Sequence, residues 1–200
     1  MINKVILASN SGIRFTILKN NNYDVKQYSS GVDEDEIKLS LISNGATPLQ
    51  IAKNLAELKA NRVSSKFLNE VVIGADQTLD LNGKNIDKPK NLEDAKNILY
   101  NLNNQTHMLH SAICVSRAGS MISHFHDTCL LKMKKLSDKE ILNYLEKIEL
   151  ETMLKYGVYQ IEGPGKNLFE KIDGDIDSIQ GLPMKQLKPY LDKLSWKSFV

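Results

Sequence analysis

Val71-Val72-Ile73-Gly74-Ala75-Asp76-Gln77 is an apolar run that ends in a carboxylate. Strands buried on both faces of a parallel sheet read as continuous apolar runs, and open α/β sheets bind ligands at the carboxyl ends of such strands. The run therefore predicts a core strand with Asp76 at its end. Asn82-Gly83, the strongest short hairpin signal, follows, and the basic tripeptide Lys88-Pro89-Lys90 comes next. A carboxylate on a strand end, with lysines close behind it in sequence, points to polyanion chemistry.

The same patterns extend outward from this strand. Val5 to Ser9 reads as a first strand, and Asn10-Ser11-Gly12 turns it into a short helix over about 13–19. Tyr23 to Ser29 alternates as a second strand, and Gly31 to Glu36 reads as an acidic loop. Thr47-Pro48 is an N-cap with proline at the first helical position, and Leu49, Ala52, Leu55, Ala56 and Ala60 continue at helical spacing to about 64. Val71 to Leu81 reads as the full core strand with Lys84 to Asp87 as its hairpin partner, and Leu92, Ala95, Ile98, Leu99 and Leu102 mark an amphipathic helix. Thr106 to Val115 and Met121 to Lys134 read as strands joined through Ala118-Gly119. A capping box, Ser137-x-x-Glu140, opens a helix to about 147; Leu168 to Ile172 is a strand; Pro183 starts a last helix. Loosely alternating helices and strands with a hairpin-rich middle give an α/β class with a mixed, twisted sheet and flanking helices. At 200 residues, one domain spanning 1–200 is the expectation.

Composition narrows the function. The net charge is +2, from 26 basic and 24 acidic residues, so no domain-wide basic field calls for nucleic acid. No apolar run approaches the roughly 20 residues of a membrane span, and the apolar start of the chain is too short for a signal peptide. Cys114 and Cys129 form no C-x-x-C motif and are expected reduced and buried, which makes the cytoplasm the default compartment.

Four segments carry candidate chemistry. Ser9-Asn10-Ser11-Gly12-Ile13-Arg14 is a strand–loop–helix joint, where backbone N–H groups and the positive helix end favour phosphate, and Arg14 adds a bidentate donor. The blander reading is a capped helix with a surface arginine. Asp33-Glu34-Asp35-Glu36 reads as a solvated loop, or as the source of a second carboxylate that helps Asp76 hold a divalent cation. Lys59, by helix periodicity alone, reads as a surface lysine. Asp76 is not the nucleophile of an Asp-x-Asp phosphatase, because Thr78 stands two residues on; a turn residue, a general base or a metal ligand remains. His124-Phe125-His126, with His107 and His110, offers no third ligand at zinc spacing.

Taken in order, these segments resemble the Maf family of nucleoside triphosphate pyrophosphatases over nearly the whole chain. Val5-Ile6-Leu7-Ala8-Ser9-Asn10-Ser11 followed by Arg14 is similar to its opening signature, and Val32-Asp33-Glu34 to its acidic loop. Leu55-Ala56-x-x-Lys59-Ala60, Gly74-Ala75-Asp76, Lys88-Pro89, Thr106-His107, Ile161-Glu162-Gly163 and Gly181-Leu182-Pro183 complete the series. The resemblance implies a mixed α/β fold with two lobes around a deep cleft. It implies hydrolysis of a nucleoside triphosphate to monophosphate and pyrophosphate, with a divalent cation, Mg²⁺ or Mn²⁺. It implies Asp76 as proton acceptor, Glu34 and Asp76 on the metal, and Ser9, Ser11, Arg14, Lys59 and Lys88 on the phosphates. A homodimer is a further expectation of the family.

Three positions depart from the common family pattern. Ser11-Gly12-Ile13-Arg14 stands where most members have Ser-Pro-Arg-Arg, Gln77 where threonine is common, and Glu162 where many have glutamine. Gln77 with Glu162 resembles the branch acting on 7-methyl-GTP, in which tryptophan is usual at the place of Ile13. A carboxylate accepts hydrogen bonds from the N–H edge of guanine and suits a cationic methylated purine. The altered opening loop leaves a second reading, a non-enzymatic nucleotide-binding regulator of cell division; a phosphomonoesterase is a third.

Overall fold

A computed structural model describes residues 4–194. The described residues form a mixed sheet of seven strands with helices. The strands are β1 (Lys4–Ala8), β2 (Asp24–Gln27), β3 (Val72–Leu81), β4 (Lys84–Ile86), β5 (Thr106–Arg117), β6 (Ser120–Met133) and β7 (Phe169–Asp173). The hydrogen-bonded order is β2-β1-β3-β5-β6-β7, with β4 on β3. β1 lies parallel to both β2 and β3, whereas β3 with β4 and β6 with β7 are antiparallel. The turn between β5 and β6 has positive φ at both Ala118 and Gly119, the backbone that two-residue hairpins favour.

The chain divides into two compact units. The first holds the chain up to Gln77, His110–Thr128 and the chain from Asp175; the second holds Thr78–Leu109 and Cys129–Gly174.

In the first unit β1 is buried on both faces, as its unbroken apolar run predicts. Val5, Leu7, Ile73 and Ala75 face a core shared with α1 (Gly12–Asn20) and α8 (Met184–Lys193), through Leu18, Leu187 and Leu191. Ile6, Ala8 and Val72 face the other way, toward Val63 of α3 (Pro48–Ser64). Side chains alternate along a strand, so Gly74 and Asp76 share the α3 face with Val72. Gly74 lets that helix lie almost on the strand. A Cβ there would stand 2.2 Å from the Ala56 carbonyl oxygen and 2.6 Å from the Ala60 nitrogen. Small residues on α3 complete the fit: Ala52, Ala56 and Ala60 cluster with Ala112 and Cys114 of β5.

In the second unit α4 (Leu92–Leu102) buries Ala95, Ile98, Leu99 and Leu102, the stripe its periodicity announces, and packs beside α5 (Asp138–Leu145). The Ser137–Glu140 capping box opens α5 as expected. His107 is buried, with Nε2 2.5 Å from the Tyr159 hydroxyl and Phe169 against its ring. Burial pushes its pKa down to about 4.

The structure corrects several expectations. Residues 34–43 form a helix, α2 (Glu34–Ser43), where an acidic loop was expected from Gly31 to Glu36. Asp33 caps it by accepting from the Glu36 N–H at 3.1 Å, and three carboxylates fill its first turn, where the helix dipole favours anions. The helix buries none of its residues, so no apolar stripe announces it. α6 (Leu150–Tyr156) and α7 (Ile176–Ile179) were also not foreseen; both are short and lack a side-chain cap. Finally, β3 runs on to Leu81 with the Asn82-Gly83 hairpin, as the sequence predicts, so Asp76 lies inside the strand and not at its carboxyl end, just beyond the point where β1 ends, Ala8 being opposite Gly74.

Both cysteines are free and buried. No helix among the described residues is long and apolar enough to cross a membrane.

Candidate active site

The α3 face of β3 carries Asp76, only 5% exposed, directly against the helix that carries Lys59, only 4% exposed. Lys59 Nζ donates to Asp76 Oδ1 at 2.6 Å and pairs with Glu34 Oε1 at 2.8 Å. Lys59 is thus not the surface lysine that periodicity suggested. It shares the inward face of α3 with Leu55, Ala56 and Ala60, and the shallow Gly74 contact brings it down onto the strand. Glu34, the first residue of α2, is the half-exposed member. Asp76 Oδ2 is buried and has no hydrogen-bond partner among the described residues. A buried carboxylate oxygen without a donor is costly, so this atom is poised for a ligand.

The opening loop stands beside this cluster. Ser11 caps α1 by accepting from the Arg14 N–H, and Ser9 Oγ accepts from the Ser11 N–H and from Arg14 Nη1. Gln27 ties the loop down by donating to the Ser9 carbonyl at 2.6 Å. Arg14 also donates from Nη1 to the Ala75 carbonyl and from Nε to the Gly181 carbonyl, each at 2.9 Å. Burial lowers the proton affinity of the guanidinium, and the charges of Asp76 and Glu34 oppose that effect; an arginine stays protonated regardless. A cavity of about 130 Å³ opens here, lined by Ser9, Asn10, Ser29, Ser30, Glu34 and Lys59 among others. Hydroxyls, an amide and an ammonium suit phosphate oxygens.

The three expected specificity residues fall differently. Ile13 is half-buried against the core beneath α1. Gln77 directs its amide nitrogen to Ser111 Oγ at 2.8 Å and to the carbonyls of Ile179 at 2.9 Å and Ser178 at 3.2 Å. Ser111 Oγ in turn donates to the Ser178 carbonyl at 2.6 Å. The Gln77 amide donor therefore holds the 178–179 segment, two residues before the Gly181 carbonyl that orients Arg14. Glu162 lies exposed in a turn of the second unit. Lys88 is in the second unit too, exposed, with Nζ donating to the Lys155 carbonyl at 2.7 Å.

Sequence reading missed Ser111 and Ser178 as supports of the site, and it singled out Gly181 only as part of a family motif, without its contact to Arg14. One signal was available for Lys59, whose position continues the 52, 55, 56 stripe.

The sequence profile described as Maf-like protein matches residues 4–194. The chain belongs to the Maf family. A Maf relative from Pelagibacter ubique, a nucleoside triphosphate pyrophosphatase, is 51% identical over 191 residues, covering 96% of this chain and 98% of that protein. A protein of the same name from Caulobacter vibrioides is 42% identical over 94% of both chains. A 7-methyl-GTP pyrophosphatase from Brucella abortus is 39% identical over 92% of both.

A divalent cation fits the Maf site of this chain. Two carboxylates are typical of Mg²⁺ sites that take their remaining ligands from phosphates and water. Asp76 Oδ2 is an unpaired buried acceptor. Arg14 and Lys59 only balance Asp76 and Glu34, so the cluster has no surplus charge to offset a triphosphate. Among the described residues no group of three His, Cys, Asp or Glu side chains forms a closed metal site, His124 and His126 included.

Proposed function

We propose that this Maf protein hydrolyses a nucleoside triphosphate between its α and β phosphates, releasing nucleoside monophosphate and pyrophosphate. Like its relatives of that name, it is a hydrolase acting on acid anhydrides. The observation that carries the reading is the buried Asp76–Lys59–Glu34 cluster with Asp76 Oδ2 unpartnered.

Asp76 accepts a proton from the water that attacks the α-phosphorus. A new P–O bond forms, the bridging P–O bond breaks, and pyrophosphate leaves with the electron pair. Lys59 and Arg14 offset charge on the phosphate oxygens, while Ser9, Ser11 and the first turn of α1 position them. Lys88 adds a further cation in this reading. A Mg²⁺ or Mn²⁺ held by Glu34 and Asp76 would neutralise the remaining charge. Such reactions depend on positioning and electrostatics more than on covalent chemistry, and the Gly74 contact and the Arg14 bonds supply positioning.

For the base, we favour a purine with a guanine-type edge, and 7-methyl-GTP among such substrates. Support comes from Glu162, from the identity to the Brucella protein, and from the acceptor character of a carboxylate. We place the reaction in the cytoplasm, in keeping with two free thiols.

The test is a panel of nucleoside triphosphates, 7-methyl-GTP included, with Mg²⁺ or Mn²⁺, read out as products. Pyrophosphate with monophosphate is expected. Orthophosphate would instead indicate a phosphatase, and tight binding without turnover a regulator.

A further inference from the structure

We propose that Lys59 competes with the divalent cation for Glu34 and Asp76, so that the cation is admitted together with a triphosphate and not ahead of it. This rests on the pyrophosphatase reading and concerns how its site is loaded. The Lys59 ammonium already spans the two carboxylates, at 2.6 Å from Asp76 Oδ1 and 2.8 Å from Glu34 Oε1. It is held there by helix packing, since Ala56 and Ala60 on either side lie against β3 at Gly74. An ammonium and a divalent cation repel strongly at the spacing these oxygens impose, in a place too buried for water to screen them fully.

The charge count gives the order of events. Arg14 and Lys59 balance Asp76 and Glu34, so a divalent cation arriving alone leaves the cluster with two uncompensated positive charges. A triphosphate supplies the missing anions. It also gives Lys59 an alternative partner, because Lys59 and Glu34 both line the cavity with Ser9, Ser29 and Ser30. Phosphate oxygens entering there meet Nζ directly. As Lys59 turns toward them, it gives up its bonds to Asp76 Oδ1 and Glu34 Oε1, and Asp76 Oδ2 needs no release because it has no donor to lose among the described residues.

The experiment titrates Mn²⁺ into the full chain, following free Mn²⁺ by its paramagnetic resonance signal. It is done with and without a triphosphate analogue whose α–β bridge is a methylene. The analogue should tighten Mn²⁺ binding by roughly tenfold or more, which is about 1.4 kcal/mol. Lys59→Met should bind Mn²⁺ without the analogue at least roughly tenfold tighter than the parent, and Lys59→Arg should bind it as the parent does. Lys59→Gln, which retains a hydrogen bond without the charge, repeats the test if the methionine variant does not fold. Absence of synergy in the parent, or uncharged variants that bind Mn²⁺ no tighter, would overturn the proposal. Tighter Mn²⁺ binding by the variants, in a parent that cleaves no triphosphate, would uphold the competition and sink the pyrophosphatase reading.

Discussion

Gly74→Ala tests how the site is assembled. The added methyl would stand 2.2 Å from the Ala56 carbonyl oxygen, 2.6 Å from the Ala60 nitrogen and 2.8 Å from the Ala60 Cβ. None of these is the tip of a flexible side chain. Ordinary contact begins near 3.4 Å, so α3 must withdraw from β3 by roughly 1 Å. Overpacking of this kind costs about 1–3 kcal/mol. At roughly 2–4 °C per kcal/mol for a chain of this size, Tm should fall by about 2–12 °C. Lys59 precedes Ala60, so the same withdrawal stretches its 2.6 Å bond to Asp76. A displacement of roughly 1 Å among reacting groups costs on the order of 10²-fold in kcat/KM. Calorimetry gives Tm, and pyrophosphate release gives kcat/KM. An unchanged Tm with an unchanged kcat/KM would refute the claim that the glycine seats the catalytic helix.

Other perturbations follow from the same contacts. Gly181→Ala meets two obstacles, a φ of +91° and a Cβ 2.9 Å from Arg14 Nη2; KM should rise more than kcat falls, as steady-state kinetics would show. Gln77→Met removes the donor to Ser111 and the Ser178 and Ile179 carbonyls, so Tm should drop while kcat/KM falls evenly across nucleotides. Glu162→Gln should instead change the ratio of 7-methyl-GTP to UTP cleavage, and an unchanged ratio removes Glu162 from base selection. His107 gives a pH dependence of stability. Its folded pKa of about 4 lies below the ordinary 6.5, so the unfolded chain binds more protons between these values. The contribution is complete above pH 6.5 and is lost as pH falls toward 4, a swing of about 3 kcal/mol that His107→Gln should remove from denaturation curves.

The sequence made most of the core legible, because its periods are clean. The 72–81 strand, the helix from Pro48 to Ser64 with its cap, and the amphipathic helix from Leu92 stand close to where apolar spacing puts them. α2 was illegible because it buries nothing, although Asp33 and three first-turn carboxylates spell a cap. Asp76, Glu34 and Arg14 stood out as chemistry-bearing types. Lys59 did not, because whether a lysine on a helix is buried depends on what the neighbouring strand offers, here a missing side chain at Gly74. Gln77 illustrates the opposite limit. With Glu162 it marked a resemblance to one branch of the family, but nothing in the sequence showed that its amide nitrogen faces Ser111 and two backbone carbonyls contributed from distant parts of the chain.

The central claim is that Asp76 is the base of a pyrophosphatase. Its most direct test compares pyrophosphate release by the parent and by Asp76→Asn at saturating Mg²⁺ and nucleotide, with matching circular dichroism spectra. The account predicts a loss of roughly 10²-fold or more in kcat, the usual contribution of a positioned base. An Asp76→Asn protein that folds normally and releases pyrophosphate at the parent's rate would contradict it.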